Sequence, residues 1–316
     1  MFPEIFQLKL PPAQLTAVPL LSPSQKNFSH VLLCALSVPS VCLSLSPSVP
    51  HCSWWPLPTM ALLAHTLALL AMTVATVAIE VVPLDMAEDS FDDQYEGCVP
   101  AMNAKLADLY NSEFQMNPVF AWGWLTAGAE WHRRGSPVSP LTSHWQAVAL
   151  LAYTSEDVYK EFNAAMRTAG RSRQEYRNNF HFKTLHFLLT DAVMTLRHAQ
   201  NGQCHHVFRG VHDIRFKAWQ GQRVRFGQFT STSQSREVAL KFGTDTIFEV
   251  HTCHGVDIRQ FSMFPGEEEV LIPPYEMFEV TKVIWDGMRT WITLYSVGTY
   301  SKYNCEVGAS LGSSEL

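Results

Sequence analysis

Several common signatures are missing from this 316-residue sequence. No Gly-rich G-x-G-x-x-G loop and no Walker loop is present, which excludes the Rossmann and P-loop modes of nucleotide binding. No two cysteines have the C-x-x-C spacing of a zinc ribbon. The net charge is -6, so the chain lacks the basic excess expected of a nucleic-acid-binding protein.

The composition is that of a folded protein. Hydrophobic residues make up 47% of the chain and charged residues 16%, which argues against disorder throughout. The length allows one or two domains.

The first part of the chain differs from the rest. Residues 1–59 are rich in Pro, Ser and Leu, and their apolar run Val31–Leu45 contains a proline and is too short to span a bilayer comfortably. Met60 opens a second apolar stretch, which ends at Thr76-Val77-Ala78 with small residues typical of a signal-peptide cleavage site. The positive region that usually precedes such a stretch is missing, which leaves a buried helix as the alternative. We interpret 60–78 as a signal peptide and 1–59 as a non-native or disordered leader.

The remaining cysteines and the end of the chain support a secretory interpretation. Four cysteines follow the predicted signal peptide: Cys98, Cys204, Cys253 and Cys305. An even number of well-separated cysteines predicts two disulfides in a secreted protein, with three connectivities open. Residues 308–316 are small and polar, unlike the apolar tail of about 10–20 residues in a GPI signal. We therefore expect a secreted, extracellular protein without a membrane span in its mature chain, and leave a GPI-anchored isoform open.

Helical periodicity dominates residues 98–200. Its clearest segment is Phe182–His198, where leucines and other apolar residues recur at helical spacing. Ser155–Thr168 is a second predicted helix, with Ser155 as a candidate N-cap and Gly170 just past its end.

Short β-rich segments separated by Gly, Pro and Asp follow Gly202. The predicted strands are His206–Val211, Val224–Thr230, Thr246–Thr252, Glu269–Ile272, Glu279–Trp285 and Trp291–Val297, with one short helix at Ser235–Phe242. A helical first half followed by an antiparallel second half predicts an α+β fold.

Three polar motifs occur in order in the β half: Phe208-Arg209-Gly210, Phe229-Thr230-Ser231-Thr232-Ser233, and Glu267-Glu268-Glu269 followed by Val-Leu-Ile-Pro-Pro. Each has an ordinary structural explanation. An arginine at a strand end is usually a surface charge, a Ser/Thr run before a helix is usually a capping turn, and a glutamate cluster is usually a solvated loop. No motif on its own therefore predicts a function.

Together and in this order, the motifs resemble the Arg-Ser-Glu class of ADP-ribosyltransferases, and in particular the vertebrate arginine-specific ecto-enzymes. The resemblance extends from Phe91 to Cys305. Further matches are Phe91-Asp92-Asp93-Gln94-Tyr95 ahead of Cys98, Gly227-Gln228-Phe229, Phe242-Gly243, and the Glu-Val-Leu-Ile-Pro-Pro run. The resemblance implies an N-terminal helical region and a mainly antiparallel β core. These form one catalytic domain over 85–305, followed by a flexible tail over 306–316.

The resemblance also implies an activity, the transfer of ADP-ribose from NAD⁺ to an arginine of an acceptor protein. NAD⁺ is then the co-substrate, nicotinamide is released and no metal is needed; use of NADP⁺ is left open. Arg209 would position the phosphates of NAD⁺, because its planar guanidinium donates in pairs to phosphate oxygens. Gly210 would let the backbone approach the nicotinamide carboxamide, since a Cβ would obstruct it. Ser231 would support the catalytic glutamate and the nicotinamide ribose.

Two alternate glutamates receive the central roles in this resemblance. Glu269 would stabilise the positive charge that builds on the ribose as its bond to nicotinamide breaks, as a carboxylate does in glycoside hydrolysis. The resemblance associates Glu267 with transfer to arginine. A guanidinium has a pKa above about 12, so it needs a carboxylate to orient it and take its proton. In an extended turn, residues two apart project to the same side, so both would face the pocket and Glu268 would point away.

The resemblance further implies the disulfides Cys98–Cys305 and Cys204–Cys253. With Cys204 oxidised, Cys204-His205-His206 would not be a metal site. The segment Phe180-His181-Phe182-Lys183 has a counterpart close to NAD⁺ in the family, but we interpret it as packing. Two alternative functions remain: an NAD⁺ glycohydrolase, in which water replaces arginine, and a catalytically silent secreted relative that acts as a binding module or antigen.

Overall fold

The computed structural model describes residues 79–306, and the helical half comes first. Its helices are α1 (Val99–Met116), α2 (Pro118–Arg133), α3 (His144–Thr154), α4 (Tyr159–Ala169), α5 (Arg173–Asn179) and α6 (Lys183–Ala199); a short α7 (Arg236–Leu240) follows in the β half. The predicted leader 1–59, the predicted signal peptide 60–78 and residues 307–316 lie outside the described residues. Glu306, which we expected to begin a flexible tail, is buried within the fold.

The central helix of this half is α6, which packs against α1 and α3. The apolar residues at helical spacing are all buried: Leu185, Leu188, Leu189, Ala192, Val193 and Leu196. The predicted helix Phe182–His198 is thereby confirmed, with each end displaced by one residue.

The β half forms one large sheet and one small one. The strands are β1 (Glu80–Pro83), β2 (His205–Val211), β3 (Ile214–Lys217), β4 (Arg223–Val224), β5 (Thr230–Ser233), β6 (Thr246–Thr252), β7 (Val256–Asp257), β8 (Glu269–Ile272), β9 (Glu276–Trp285) and β10 (Thr290–Thr299). The large sheet has the strand order β4-β9-β10-β6-β2-β5-β8-β7, and its pairs are antiparallel except β10 with β6. Strand β1 pairs in parallel with β3. The predicted α+β fold with a mainly antiparallel β half is confirmed.

Two apolar clusters support these layers. The larger one joins the helices to one side of the sheet and includes Phe229 and Leu271 from the strand region. The smaller one is built from alternate residues of neighbouring strands, such as Phe248 and Val250 of β6. This alternation follows from the two-residue period of a strand, which sends successive side chains to opposite faces.

Both disulfides implied by the resemblance are present. Cys98–Cys305 joins the start of α1 to the end of the described chain, and Cys204–Cys253 joins the residues flanking β2 and β6. The two bridges close segments with sequence separations of 207 and 49 residues. Each restricts the unfolded chain and is expected to stabilise the fold by about 2–4 kcal/mol.

A pair of buried aspartates also closes the fold. The Asp92 carboxylate accepts hydrogen bonds from the backbone N–H groups of residues 302 and 303, and Asp93 accepts from those of residues 305 and 306. Asp92 also pairs with Arg225 at 2.6 Å, with both side chains fully buried. The Phe91–Tyr95 motif therefore fastens residues 302–306 to the start of the domain.

The predicted strand Val224–Thr230 is wrong. Pairing with β9 ends at Val224, and the chain pairs again only from Thr230 in β5. Between them, Arg225 directs its side chain into the buried ion pair and Gly227 has a φ of +66°. A left-handed residue of this kind bends the chain away from the sheet.

The predicted N-cap at Ser155 is also wrong. Helix α4 begins at Tyr159, and Ser155 instead ends α3. Its hydroxyl donates to the carbonyl oxygen of Ala152, within α3, at 2.7 Å, so it does not cap the helix that follows. Gly170 does follow the last residue of α4, as predicted.

The Arg225–Asp92 pair predicts a large effect on stability. Arg225→Met leaves the Asp92 charge buried without its partner, which typically costs about 3–5 kcal/mol in the free energy of unfolding. Urea denaturation with the disulfides intact measures this loss. The matched control is Arg171→Met, which removes an exposed ion pair with Asp89 and is expected to cost at most about 1 kcal/mol. Equal losses in the two variants would contradict the prediction.

Candidate active site

The register of three neighbouring strands brings the predicted site residues together. Strand β2 pairs with β5 through Phe208 and Ser233, and Ser233 is in turn paired with Glu269 of β8. Arg209 follows Phe208 on β2, and Ser231 lies two residues before Ser233 on β5. Three segments that are distant in sequence therefore meet at the same part of the sheet.

Arg209 is held by the strand beside it. Its Nη1 donates to the carbonyl oxygen of Ser231 at 2.6 Å, and this is the one hydrogen bond that its side chain makes to the described residues. The other N–H groups of the guanidinium remain available to a ligand. Burial lowers the pKa of Arg209, and the nearby Glu269 carboxylate acts in the opposite direction.

Gly210 is required by the packing of the protein itself. A Cβ at this position would lie 2.2 Å from the carbonyl oxygen of Gly243 and 2.5 Å from that of Ala239. The end of α7 thus crosses β2 so closely that no side chain fits between them. We expected a glycine here to admit a ligand, and the close approach of α7 supplies an independent reason for it.

Glu269 is nearly inaccessible to water, with a relative exposure of 4%. Its Oε2 accepts a hydrogen bond of 2.9 Å from the hydroxyl of Ser262. Burial raises the pKa of Glu269, and the hydroxyls of Ser231 and Ser262 oppose this rise. The neighbouring charges act in opposite directions on this pKa, since Glu267 raises it and Arg209 lowers it.

Glu267 reaches the same cleft by a backbone route that we did not predict. It ends a 3₁₀ turn over Pro265–Glu267, and Glu268 then adopts a left-handed conformation with a φ of +50°. The predicted extended turn is therefore wrong. Glu267 and Glu269 nevertheless both line the cleft, and Glu268 is not among its lining residues. Partial burial raises the pKa of Glu267 as well.

The cleft itself has a volume of about 740 Å³ and is lined by Arg209, Gly210, Ser231, Glu267 and Glu269. This volume lies in the range of about 300–1,000 Å³ that is usual for small-molecule and cofactor sites. The structure thus gathers every predicted catalytic and NAD⁺-binding residue around one cavity.

Part of the cleft is lined by residues of the helical half, where the sequence predicted no site residue. Tyr153 and Asn163 line it and both hydrogen-bond to the carbonyl oxygen of Phe229, at 2.8 Å and 3.2 Å. Burial raises the pKa of Tyr153 to about 12, so its hydroxyl stays protonated and can donate. A polar asparagine between the buried Phe162 and Met166 on α4 was the available signal.

Two other segments do not contribute to the cleft. The sulfur of Cys204 lies in a disulfide, so it is not available as a metal ligand. Of the segment over 180–183, Phe180 and Phe182 are buried in the apolar core, and Lys183 donates to the carbonyl oxygen of Phe180. Neither segment lines the cavity.

Comparison with known proteins identifies the family. The sequence profile of the family described as NAD:arginine ADP-ribosyltransferase matches residues 84–302. The erythroblast NAD(P)(+)–arginine ADP-ribosyltransferase of Gallus gallus is 53% identical over 231 residues, which cover 72% of this chain and 77% of that protein. The GPI-linked NAD(P)(+)–arginine ADP-ribosyltransferase 1 of Homo sapiens is 47% identical over 71% of this chain and 74% of its own.

Solved structures agree with this assignment. The crystal structure of the eukaryotic mono-ADP-ribosyltransferase ART2.2 has a TM-score of 0.63 and 38% sequence identity, and it covers 71% of this chain and 98% of its own. A mutant of ART2.2 has also been solved in complex with NAD, with a TM-score of 0.62. The family match, the relatives and the fold therefore agree, and the chain belongs to the NAD:arginine ADP-ribosyltransferase family.

Proposed function

We propose that this chain transfers ADP-ribose from NAD⁺ to arginine side chains of proteins and releases nicotinamide. The observation that carries this proposal is the convergence of Arg209, Ser231, Glu267 and Glu269 on one cleft. The reaction needs a grip on a dinucleotide, a carboxylate beside the ribose and a second carboxylate beside the acceptor. The cleft offers a residue for each of these tasks.

Binding of NAD⁺ falls to Arg209, with Ser231 and the backbone at Gly210. Within residues 79–306 the guanidinium makes one hydrogen bond, so it retains N–H groups for phosphate oxygens. Arg209 is held against β5, and a donor fixed in this way loses little conformational freedom when the substrate binds.

Glu269 acts on the bond that breaks. As the bond between C1′ of the ribose and the nicotinamide nitrogen opens, nicotinamide leaves with the electron pair and positive charge develops on the sugar. A fixed and buried carboxylate stabilises this charge strongly, since little water screens the interaction.

Glu267 acts on the acceptor. An arginine nitrogen attacks C1′ and forms the new bond, and Glu267 accepts the proton that this nitrogen loses. The raised pKa of Glu267 makes it a better proton acceptor than an exposed glutamate. The 3₁₀ turn that ends at Glu267 and the left-handed Glu268 that follows it leave both carboxylates in the same cleft.

The role of Glu269 predicts the behaviour of Glu269→Gln. This change keeps the shape and removes the charge, so we expect nicotinamide release to slow by about 10²–10³-fold, with or without an arginine acceptor. The measurement is the release of nicotinamide from NAD⁺. Glu268→Gln is the matched control, because it removes a neighbouring charge that does not line the cleft, and it should retain the parent's rate. A fully active Glu269→Gln protein would refute the assignment, whereas a parent that is itself inactive would support a catalytically silent binding module.

The substitution that lowers activity, Glu269→Gln, should raise the thermal stability of the protein. Burial raises the pKa of Glu269 in the folded protein above its ordinary value of about 4.5. The unfolded chain therefore releases this proton at a lower pH than the folded chain. The parent therefore loses stability as the pH rises from the pKa of Glu269 in the unfolded chain to its pKa in the folded protein. A glutamine has no such proton to lose. Glu269→Gln is expected to melt at a higher temperature than the parent near pH 7. The difference should vanish below about pH 4.5, and an unchanged difference at acidic pH would contradict this cause.

The role of Glu267 separates transfer from the glycohydrolase alternative. Glu267→Gln should abolish most transfer to agmatine or a protein arginine while NAD⁺ hydrolysis continues, because water needs no carboxylate dedicated to a guanidinium. Mass spectrometry of the modified acceptor and quantification of free ADP-ribose measure the two products. If the parent produces free ADP-ribose and leaves agmatine unmodified, the chain is an NAD⁺ glycohydrolase instead.

We further propose that the protein acts outside the cell. In support, both pairs among the four cysteines from Cys98 onward are disulfides, which persist in oxidising compartments. Several relatives are named GPI-linked. Within residues 79–306, no helix combines the length and hydrophobicity needed to cross a bilayer.

The proposed signal peptide over 60–78 gives a direct test. After expression in a secreting cell, Edman sequencing of the protein in the medium should find a mature N-terminus just after Ala78. A mature chain that begins upstream of Met60 would refute both the signal peptide and the leader assignment.

A further inference from the structure

We propose that Ser262 is a positioning residue for Glu269, fixing the catalytic carboxylate and linking it to the loop that carries Glu267. This inference rests on the proposed function of Glu269. Ser262 lies seven residues before Glu269 in sequence and outside the three motifs of the resemblance. Its side chain is fully buried and does not line the cleft, so it contacts Glu269 rather than the substrate.

The two hydrogen bonds of the Ser262 hydroxyl determine where its proton points. The backbone N–H of Phe264 donates to Ser262 Oγ at 3.1 Å, so this oxygen already acts as an acceptor there. The ionised Glu269 carboxylate is an acceptor only, and it lies 2.9 Å away. The hydroxyl proton must therefore point at Glu269. The turn over 262–264 thus holds a donor aimed at the carboxylate before any substrate arrives.

The backbone around Ser262 is tied to the helical half. The guanidinium of Arg134 donates to the carbonyl oxygen of Ser262 at 2.8 Å, and Arg134 is itself paired with Glu130 at 2.6 Å. The N–H of Met263 donates to the hydroxyl of Thr154, at the end of α3, at 2.9 Å. A serine held on both sides in this way has little freedom to follow a moving carboxylate. Its hydrogen bond consequently restricts the orientation of Glu269.

The same turn leads directly into the loop that carries the acceptor glutamate. Phe264, whose N–H binds the Ser262 hydroxyl, begins the tight turn in which Glu267 donates its own N–H to the Phe264 carbonyl oxygen at 3.0 Å. One hydroxyl therefore joins the carboxylate that acts on the ribose to the start of the segment that presents the second carboxylate. This juxtaposition distinguishes Ser262 from an ordinary buried serine.

Ser262→Ala tests the proposal in the full-length secreted protein. A hydrogen bond to a charged group contributes about 1.5–3 kcal/mol, so kcat should fall about tenfold or more, both for transfer and for NAD⁺ hydrolysis. KM for NAD⁺ should change less than about twofold, because Ser262 does not contact the substrate. Without its donor, the ionised carboxylate is less favoured. The acid limb of the kcat profile should therefore move to higher pH.

Two further variants keep the test decisive. Ser262→Cys replaces the hydroxyl by a weak donor, so its acid limb should lie between those of the parent and Ser262→Ala; it also carries the test if the alanine variant does not fold. Ser90→Ala is the matched control, because Ser90 is equally buried but its hydroxyl has no hydrogen-bond partner among the described residues. It should leave kcat and the pH profile unchanged.

The possible outcomes separate this inference from the proposed function. If Ser262→Ala retains kcat within about twofold, or loses kcat with an unmoved acid limb, Ser262 does not position Glu269 and the inference is wrong. Glu269→Gln measured in the same assay decides the other question. If that variant is active, the role of Glu269 fails; if it is inactive while Ser262→Ala behaves like the parent, only the present inference fails.

Discussion

A carboxylate kept out of water is the constraint on which the proposed site depends. Glu269 is almost fully buried, and burial alone would favour its neutral form. The hydroxyls of Ser231 and Ser262 and the charge of Arg209 favour the ionised form and offset part of this cost. A charge held in this way interacts strongly with a cation that develops beside it, because fixed groups rather than mobile water surround it. The burial that lowers the stability of the protein thus also strengthens the interaction of this carboxylate with the developing cation.

The groups that close the fold are separate from those that form the cleft. The two disulfides and the buried pair of Asp92 with Arg225 fasten the ends of the described chain and its loops. None of these residues lines the cavity. The cleft instead depends on strand register and on α7, which crosses β2 at Gly210. Changes in the fastening groups should therefore act through stability, whereas changes at the strands act on the site directly.

The sequence predicted the parts of the fold that local patterns determine. The predicted limits of β6 and β8 are those of the structure, since each is a short apolar segment bounded by turn residues. The predicted strand over 224–230 is wrong, because the side chain of Arg225 pairs with Asp92, a residue far away in sequence. Tyr153 and Ser262 were missed for the same reason. Their roles come from contacts with Phe229 and Glu269 that no local pattern reveals.

The relative placement of the two proposed catalytic glutamates is a property of the backbone between them. A left-handed conformation is unfavourable for a residue with a side chain and persists only where the surroundings impose it. At Glu268 they do so, because its carbonyl oxygen accepts from the N–H of Gln234 at 3.1 Å. The carbonyl oxygen of Glu267 accepts from the Ser233 hydroxyl at 2.7 Å. Both anchors use main-chain atoms of the glutamates. The side chain of Glu267 is therefore not needed to hold the loop and can be adapted to the acceptor, whereas the Glu269 carboxylate is joined to the start of the loop through the hydroxyl of Ser262.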